Sequence, residues 1–423
     1  MTRRLALVLA LLVPAFAQAD EPLKIGLGDY LTRVASGNLE LAAQQANVSI
    51  SRAQIAIVKV FPDPSVTAGL QQLDVSGHGI PTATALSFNV PIQIGGQRGA
   101  RVRTAEANVS AAEADLEDFV RTLRGGAAAA YVAALQARGV LDRKKQTLAS
   151  LERLVKVNEL RLRAGDIGEA LLVQSRVEAQ QFRGDVMAAE GVVAAADFAV
   201  VQFLGEGARA VLGRPIAPQG DLRVAAERKY DVKALLSGAV SRRPDLRASQ
   251  RRVTAAEKQL ELTRKNRIVD IAVGASWQHN FSTSGASAAP ASDQIGILLS
   301  VPLAISRIYR GDIDAATATQ RQADAQQRAV SLRVEIEIRQ AVMLYDIAAA
   351  RLKLYTSGVL HDADAVLEKT LYNYQRGGAT LVEVLVAQRT VNDVYIAYWD
   401  ALGDAARALI AVEQAAGTWD VRL

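Results

Sequence analysis

The run Leu86-Ser-Phe-Asn-Val-Pro-Ile-Gln-Ile94 carries an apolar group at every second position. Later in the chain, Ile295-Gly-Ile-Leu-Leu-Ser-Val-Pro-Leu303 repeats the pattern, with only Leu298 out of step. Each run is the second half of a hairpin. Before the first, Val66, Ala68 and Leu70 alternate with Ser65, Thr67, Gly69 and Gln71; before the second, Ile271, Val273, Ala275 and Trp277 alternate with Asp270, Ala272, Gly274, Ser276 and Gln278. Successive side chains of a strand point to opposite faces, so all four runs are apolar on one face and small or polar on the other. A length of about ten residues with this dyad pattern suits a strand between lipid and water. An ordinary half-buried hairpin alternates too. Four matched runs at repeated positions, behind an export signal, favour the membrane.

The repeat extends beyond the hairpins. Leu41, Val48, Ile55, Val66 and Gly69 fall on Leu246, Val253, Leu260, Ile271 and Gly274 at an offset of 205. After the hairpin, Leu86, Val90 and Pro91 meet Ile297, Val301 and Pro302 at 211. Arg98-Gly99 meets Arg310-Gly311, and Gly165 meets Gly377, at 212. The difference is absorbed near the hairpin turns, roughly Asp74 to Ala83 and Ser282 to Asp293, where insertions are tolerated. The constant offset from Arg98 to Gly165 marks one piece of fixed length.

That piece reads as a long helix. Val102, Ala105, Val109, Ala112, Leu116, Val120 and Leu123 recur at threes and fours, as do Leu141, Leu148, Leu151, Val155, Asn158 and Leu162. Spacing near 3.5 residues marks a coiled-coil seam. A continuous helix from Arg101 to Arg163 would reach about 95 Å. Gly125-Gly126 is its weakest point and a place for a bend. The second copy predicts an equivalent helix from Asp312 to Gln375. Each ends at a glycine-containing reversal, and helices Glu169 to Leu204 and Leu381 to Gln414 return. Between the copies, Leu204 to Asp231 is rich in Gly and Pro and reads as a linker with short structure.

The expected organisation is a signal peptide over 1–19, an entry helix over 20–62, a β-hairpin over 63–96 and a helical hairpin over 97–204. A linker follows over 205–231, then an entry helix over 232–267, a β-hairpin over 268–305, and a second helical hairpin with the tail over 306–423. Arg3 and Arg4, the apolar run Leu5 to Ala17, and Ala17-Gln18-Ala19 have the order of a secretory leader. Removing Arg3 and Arg4 lowers the formal charge from +5 to +3. The chain has no cysteine, which excludes disulfides, thiolate metal sites, cysteine nucleophiles and a lipid-bearing terminal cysteine. Arg143-Lys144-Lys145 and Arg251-Arg252 lack interleaved aromatics and read as solvated helix faces, not as nucleic-acid contacts. His78, His279 and His361 are far apart and form no ligand spacing, so no metal site or cofactor is expected. Trp277 suits either an interfacial aromatic belt or packing against a neighbouring strand.

Four strands cannot close a barrel in lipid, so closure needs several chains; three would give twelve strands. The fold class expected from the residues is mixed and mainly α: long helical coiled coils plus a transmembrane β-barrel that would have twelve strands if three chains shared it, four strands each.

The segment Asn89-Val-Pro-Ile-Gln-Ile-Gly-Gly-Gln-Arg-Gly-Ala-Arg101 resembles the strand-to-helix junction of the CzcC-like heavy-metal branch of the TolC-like outer-membrane efflux proteins. Tyr374-Gln-Arg-Gly-Gly-Ala-Thr-Leu-Val-Glu-Val-Leu-Val-Ala-Gln388 resembles that family's periplasmic tip signature. The resemblance spans the mature chain. It implies a homotrimeric duct in the outer membrane, its twelve strands forming the transmembrane β-barrel and its long helices a periplasmic coiled-coil barrel, without a catalytic step and working with a periplasmic adaptor and an inner-membrane proton-driven RND pump. Cobalt, zinc or cadmium is the implied cargo; organic drugs or secreted protein are the alternatives.

The resemblance also implies sites. Glu383 matches an acidic gate position, and a ring of three would attract cations and raise the pKa values by mutual repulsion. A solvated glutamate at a helix start is the plain alternative. Val386 stands where many relatives carry a second acid, Leu171 is the first-copy equivalent of Glu383, and Ala379 replaces an arginine. Tyr374 matches a position that holds a closed state by hydrogen bonding, or simply packs. The tips at Gly165, Asp166, Gly168, Gly377, Gly378 and Thr380 are where relatives meet the adaptor; the glycines also permit the reversals. Pro91, Gly95, Gly96 and Pro302 mark the strand–helix junctions. Gly95 to Gly99 lacks the Lys-Ser/Thr ending of a phosphate loop and reads as a turn. A soluble coiled-coil adaptor would explain the helices but not the strands, and no nucleophile–base pair suggests an enzyme.

Overall fold

A computed structural model of the chain describes residues 23–71, 83–211, 216–226, 228–282, 290–303 and 309–422. The leader, His78, Ser306 to Ile308 and most of both hairpin turns lie outside the described residues. In chain order the elements are β1 (Leu23–Gly26), α1 (Leu27–Gly37), α2 (Leu39–Lys59), β2 (Ser65–Gln71), β3 (Ala83–Ile92), α3 (Gln97–Arg163), α4 (Glu169–Phe203) and β4 (Ile216–Gln219). Then come α5 (Val232–Arg242), α6 (Pro244–Lys265), β5 (Ile271–Asn280), β6 (Ser292–Ser300), α7 (Arg310–Leu354), α8 (Leu360–Gln375) and α9 (Leu381–Ala416).

The four long strands form one antiparallel sheet in the order β2-β3-β5-β6. Its register aligns the apolar positions in rows. Val66, Phe88, Ala275 and Ile297 form one row; Ala68, Leu86, Trp277 and Ile295 form the next. The intervening row, Thr67, Ser87, Ser276 and Gly296, belongs to the other face. Leu298 joins Asn89 and Gly274 on that small-and-polar face. Ile295 and Ile297 are 85% and 89% exposed, so a single chain does not cover the apolar rows. Among the described residues, β2 and β6 each pair on one side only.

Pro91 sits inside β3 without breaking the ladder. The β2 pairing ends at Asn89 opposite Ser65, and Pro91 pairs only with Ala272 of β5. Its missing N–H therefore belongs to a stretch that β2 does not reach. Pro302 follows the end of β6. Past the strands, Gly96 (φ 69°) precedes α3 and Tyr309 (φ 53°) precedes α7, so both copies enter the long helix through a left-handed residue. Glycine adopts this without steric cost; tyrosine does not.

The helices continue the strand order, α2 against α3, α3 against α6 and α6 against α7. α3 offers alternate acids to both neighbours: Glu113 to Arg52 of α2 at 2.7 Å, Asp115 to Arg252 of α6 at 2.6 Å, and Glu117 to Arg247. α3 runs unbroken through Gly125-Gly126, where the sequence suggests a bend. Those glycines serve packing instead, since a Cβ at Gly125 would meet the Gln414 side chain at 2.5 Å and one at Gly126 would meet Phe203. The second long helix, expected whole from Asp312 to Gln375, is divided. One wide turn, Tyr355–Val359, separates α7 from α8, with Gly358 at non-helical φ 160°, ψ −32°. A helix loses its i to i−4 ladder at such a turn and kinks there.

The main core lies midway along the helices. β1 and β4 pair in parallel there, joining the start of the segment expected as entry helix to the stretch that reads as linker. The buried Tyr131 hydroxyl joins them, donating to Ile25 O at 2.7 Å and accepting from the Gln219 N–H at 2.8 Å. Buried Arg243 binds Asp245, Glu337 and Ala415 O, tying α5 and α6 to α7 and α9. Buried Glu413 accepts from the Tyr230 and Thr418 hydroxyls and the Asp420 N–H, fixing the C-terminal tail.

Close helix contact depends on small residues. A Cβ at Gly139 would lie 2.4 Å from the Trp399 ring, whereas one at Gly184 meets nothing within 4 Å. Gly139→Ala is expected to destabilise the protein by about 1–3 kcal/mol through overpacking. Gly184→Ala should stabilise it by about 0.5–1 kcal/mol through helix propensity. Thermal unfolding of the two detergent-solubilised variants checks the opposite signs.

Candidate functional site

The two helical tips are built alike. At the first, Gly165 (φ 80°) follows α3, its N–H reaches Leu162 O and the Asp166 N–H reaches Arg161 O at 2.9 Å. At the second, Gly377 (φ 78°) donates to Tyr374 O and Gly378 to Asn373 O at 2.9 Å. Both are glycine-terminated helix ends in which a left-handed residue lets the last carbonyls find donors. Gly165, Asp166, Gly168, Gly377, Gly378 and Thr380 are all exposed.

The returning helices start differently. Gly168 precedes α4 with no side-chain cap. Thr380 precedes α9 in a full capping box: its hydroxyl accepts from the Glu383 N–H at 3.3 Å, and Glu383 Oε2 accepts from the Thr380 N–H at 2.6 Å. This reciprocal pair satisfies two otherwise free helix-start donors. The Thr380 amide and hydroxyl hold the Glu383 carboxyl below the usual carboxylate range. Within one chain Glu383 is thus a helix-start glutamate, and the local effect on its pKa opposes the upward one expected from a ring of three. Val386, one turn on, is exposed on the same flank, and Thr390 follows it.

Tyr374 lies under the tips, 3% exposed. Its hydroxyl donates to Asn158 Oδ1 at 2.7 Å, and Asn158 is fully buried near the end of α3. Arg161, one turn beyond, stacks its guanidinium 4.8 Å from the Tyr374 ring and donates to Tyr374 O at 3.3 Å. The two helical hairpins are therefore joined by a buried polar bond with an arginine laid across it. Ala379 packs partly buried against the apolar core at the tip, and the guanidinium beside Tyr374 is that of Arg161. Around them Leu151, Leu154, Phe182, Leu381, Val384 and Leu385 form a separate apolar core. Arg389 forks onto Glu178 at 2.9 and 2.7 Å, linking α9 to α4. Sequence reasoning placed Asn158 on a seam and did not single out Arg161. A polar residue at a seam position was the available signal for Asn158.

The outer membrane efflux protein family matches residues 31–206 and 235–418, one segment for each copy of the repeat. The chain belongs to that family, whose members are transport ducts and not enzymes. It is 23% identical over 413 residues to the cobalt-zinc-cadmium resistance protein CzcC of Cupriavidus metallidurans, covering 96% of this chain and 93% of that one. The nickel and cobalt resistance protein CnrC of the same organism is 26% identical over 321 residues, covering 73% and 70%. Among solved structures, the CmeC outer membrane channel of Campylobacter jejuni superimposes with a TM-score of 0.76 at 14% identity, over 92% of this chain and 85% of that one.

Two outcomes test the tip. Tyr374→Phe leaves Asn158 Oδ1 buried without its donor, an expected loss of about 1–3 kcal/mol. Combined with Asn158→Ala, the total should fall short of the sum of the single losses in thermal unfolding. The depressed pKa of Glu383 makes its cap fully present above the ordinary carboxylate value and lost as pH falls through the folded one. Amide-exchange protection at Thr380 should therefore decline on acidification in the wild type and be low at all pH values in Glu383→Ala.

Proposed function

We propose that three copies of the chain close their sheets into a twelve-stranded outer-membrane barrel, continued by a periplasmic helical tube that exports divalent heavy-metal cations. The observation that carries this reading is a four-stranded sheet with an exposed apolar face and open edges at β2 and β6. In hydrocarbon an unpaired strand edge leaves N–H and C=O groups unsatisfied, so β6 of one copy pairs with β2 of the next. β3, β5 and β6, of nine or ten residues each, are long enough for a tilted crossing. The metal cargo is supported by the resistance functions named for the two relatives and by the matching junction at Asn89 to Arg101.

The chain reaches the outer membrane through the leader 1–19 and carries no lipid on cysteine. A periplasmic adaptor meets the exposed tips at Gly165–Gly168 and Gly377–Thr380, and an inner-membrane RND pump delivers the cargo. Tyr374, bound to Asn158, holds the two helical hairpins together in the resting state. Glu383 and Val386 line the narrow end, where a ring of carboxylates favours cations.

Single-channel recording in planar bilayers tests the reading. Tyr374→Phe should raise the open-state occupancy several-fold, and Glu383→Ala should lower cation preference while leaving a pore. A folded oligomer that conducts nothing would sink the duct. Deletion of the gene should reduce tolerance to zinc, cobalt or cadmium; unchanged metal tolerance with lost drug tolerance refutes the cargo.

A further inference from the structure

The four strand–helix junctions lie at one end of the sheet, and their charges are one-sided. Residues 59–63, 93–103, 264–270 and 309–314 carry eight Lys and Arg against four Asp. Among the described residues, Lys59, Arg98, Arg264, Lys265, Arg267 and Arg310 form no salt bridge, whereas Arg103 pairs with Glu261 at 2.6 Å. Further along the same helices the arginines Arg52, Arg247 and Arg252 all have carboxylate partners. Uncompensated positive charge is thus gathered at the level where strands become helices.

Apolar groups stand exposed at that same level: Phe61 is 67%, Ile94 59%, Ile268 48% and Leu303 76% exposed. Arg98 links the two kinds of group. Its guanidinium lies 4.1 Å over the Phe61 ring while its Nε donates to Lys59 O at 2.6 Å. Across the junction, Lys265 Nζ lies 3.6 Å from where a Cβ on Gly96 would stand. Apolar stems and rings beside cationic heads suit a boundary between hydrocarbon and headgroups.

We infer that this belt is a docking surface for anionic phospholipid headgroups of the periplasmic leaflet. The cations contact phosphates, and Phe61, Ile94, Ile268 and Leu303 enter the acyl region above them. Attraction of basic residues to an anionic surface fades within a Debye length and weakens with salt. The inference rests on the proposed crossing of the membrane by the sheet. It goes beyond that proposal in giving the belt a preference for lipid charge.

The test places the full-length oligomer in phosphatidylethanolamine vesicles with phosphatidylglycerol as the minor component. Spin-labelled phosphatidylglycerol reports the lipid immobilised at the protein. Wild type should hold the anionic lipid several-fold above its bulk share, less so in high salt. The combined variant Arg98→Gln, Arg264→Gln, Lys265→Gln and Arg267→Gln should lose the excess. A control with Arg153→Gln, Lys156→Gln, Arg163→Gln and Lys369→Gln, near the tips, should keep it. An inserted wild type without the excess, or a belt variant that retains it, overturns the inference and leaves the membrane crossing intact. A belt variant that loses the excess only because its oligomer dissociates assigns the cations to contacts between copies and also overturns it. Wild type that washes off the vesicles in carbonate overturns both the docking and the crossing.

Discussion

Two strand edges left without partners are the constraint around which the rest of this structure is arranged. The sheet β2-β3-β5-β6 satisfies its interior and, among the described residues, leaves β2 and β6 paired on one side only; the proposed closure by further copies answers that exposure. The strand order then dictates the helix order, because α2, α3, α6 and α7 leave the sheet side by side. Long neighbouring helices need small contact residues, which accounts for the alanine-rich seams and for Gly125, Gly126 and Gly139. The helical part does not carry the strict two-face alternation of the strands. There the pattern relaxes to ordinary coiled-coil packing and surface ion pairs, individually worth little.

Duplication has not produced two identical halves. The first tip has Gly168 and Leu171 where the second has Thr380 and Glu383, so only the second carries a capping box. The first long helix is continuous, and the second is interrupted at Tyr355–Val359. The halves are also locked to each other by unlike parts, Tyr374 from one and Asn158 with Arg161 from the other. A molecule whose halves were equal would present the same surface twice around its axis. These differences divide the tips into two kinds.

The strands and long helices were legible because each is periodic over many residues, and period survives without knowledge of neighbours. The apolar face of each strand could be read too, since side chains alternate, whereas which residues pair across the sheet could not. The wide turn at Tyr355–Val359 was not anticipated although Gly358 is the only glycine between Gly311 and Gly377, because a lone glycine inside a helical pattern is ordinarily tolerated. The β1–β4 pair was hidden by its brevity: four residues that meet a partner far along the chain give no alternation to count. At the site, Tyr374 and Glu383 were marked by the family pattern. Asn158, Arg161, Arg243 and Glu413 were not, because what distinguishes them is burial against residues distant in sequence. A buried arginine such as Arg243 looks like any surface arginine until its carboxylate partners are located.

The continuity of α3 has a mechanical consequence. It is a single strut from the sheet to the first tip, stiffened by an unbroken hydrogen-bond ladder. Torque applied at that tip is delivered to the base of β3 with little loss. The path through α8 and α7 has an elbow at Tyr355–Val359, where the hydrogen-bond ladder is interrupted before it reaches α7. One half of each chain is therefore built as a mast, and the other as a jointed arm.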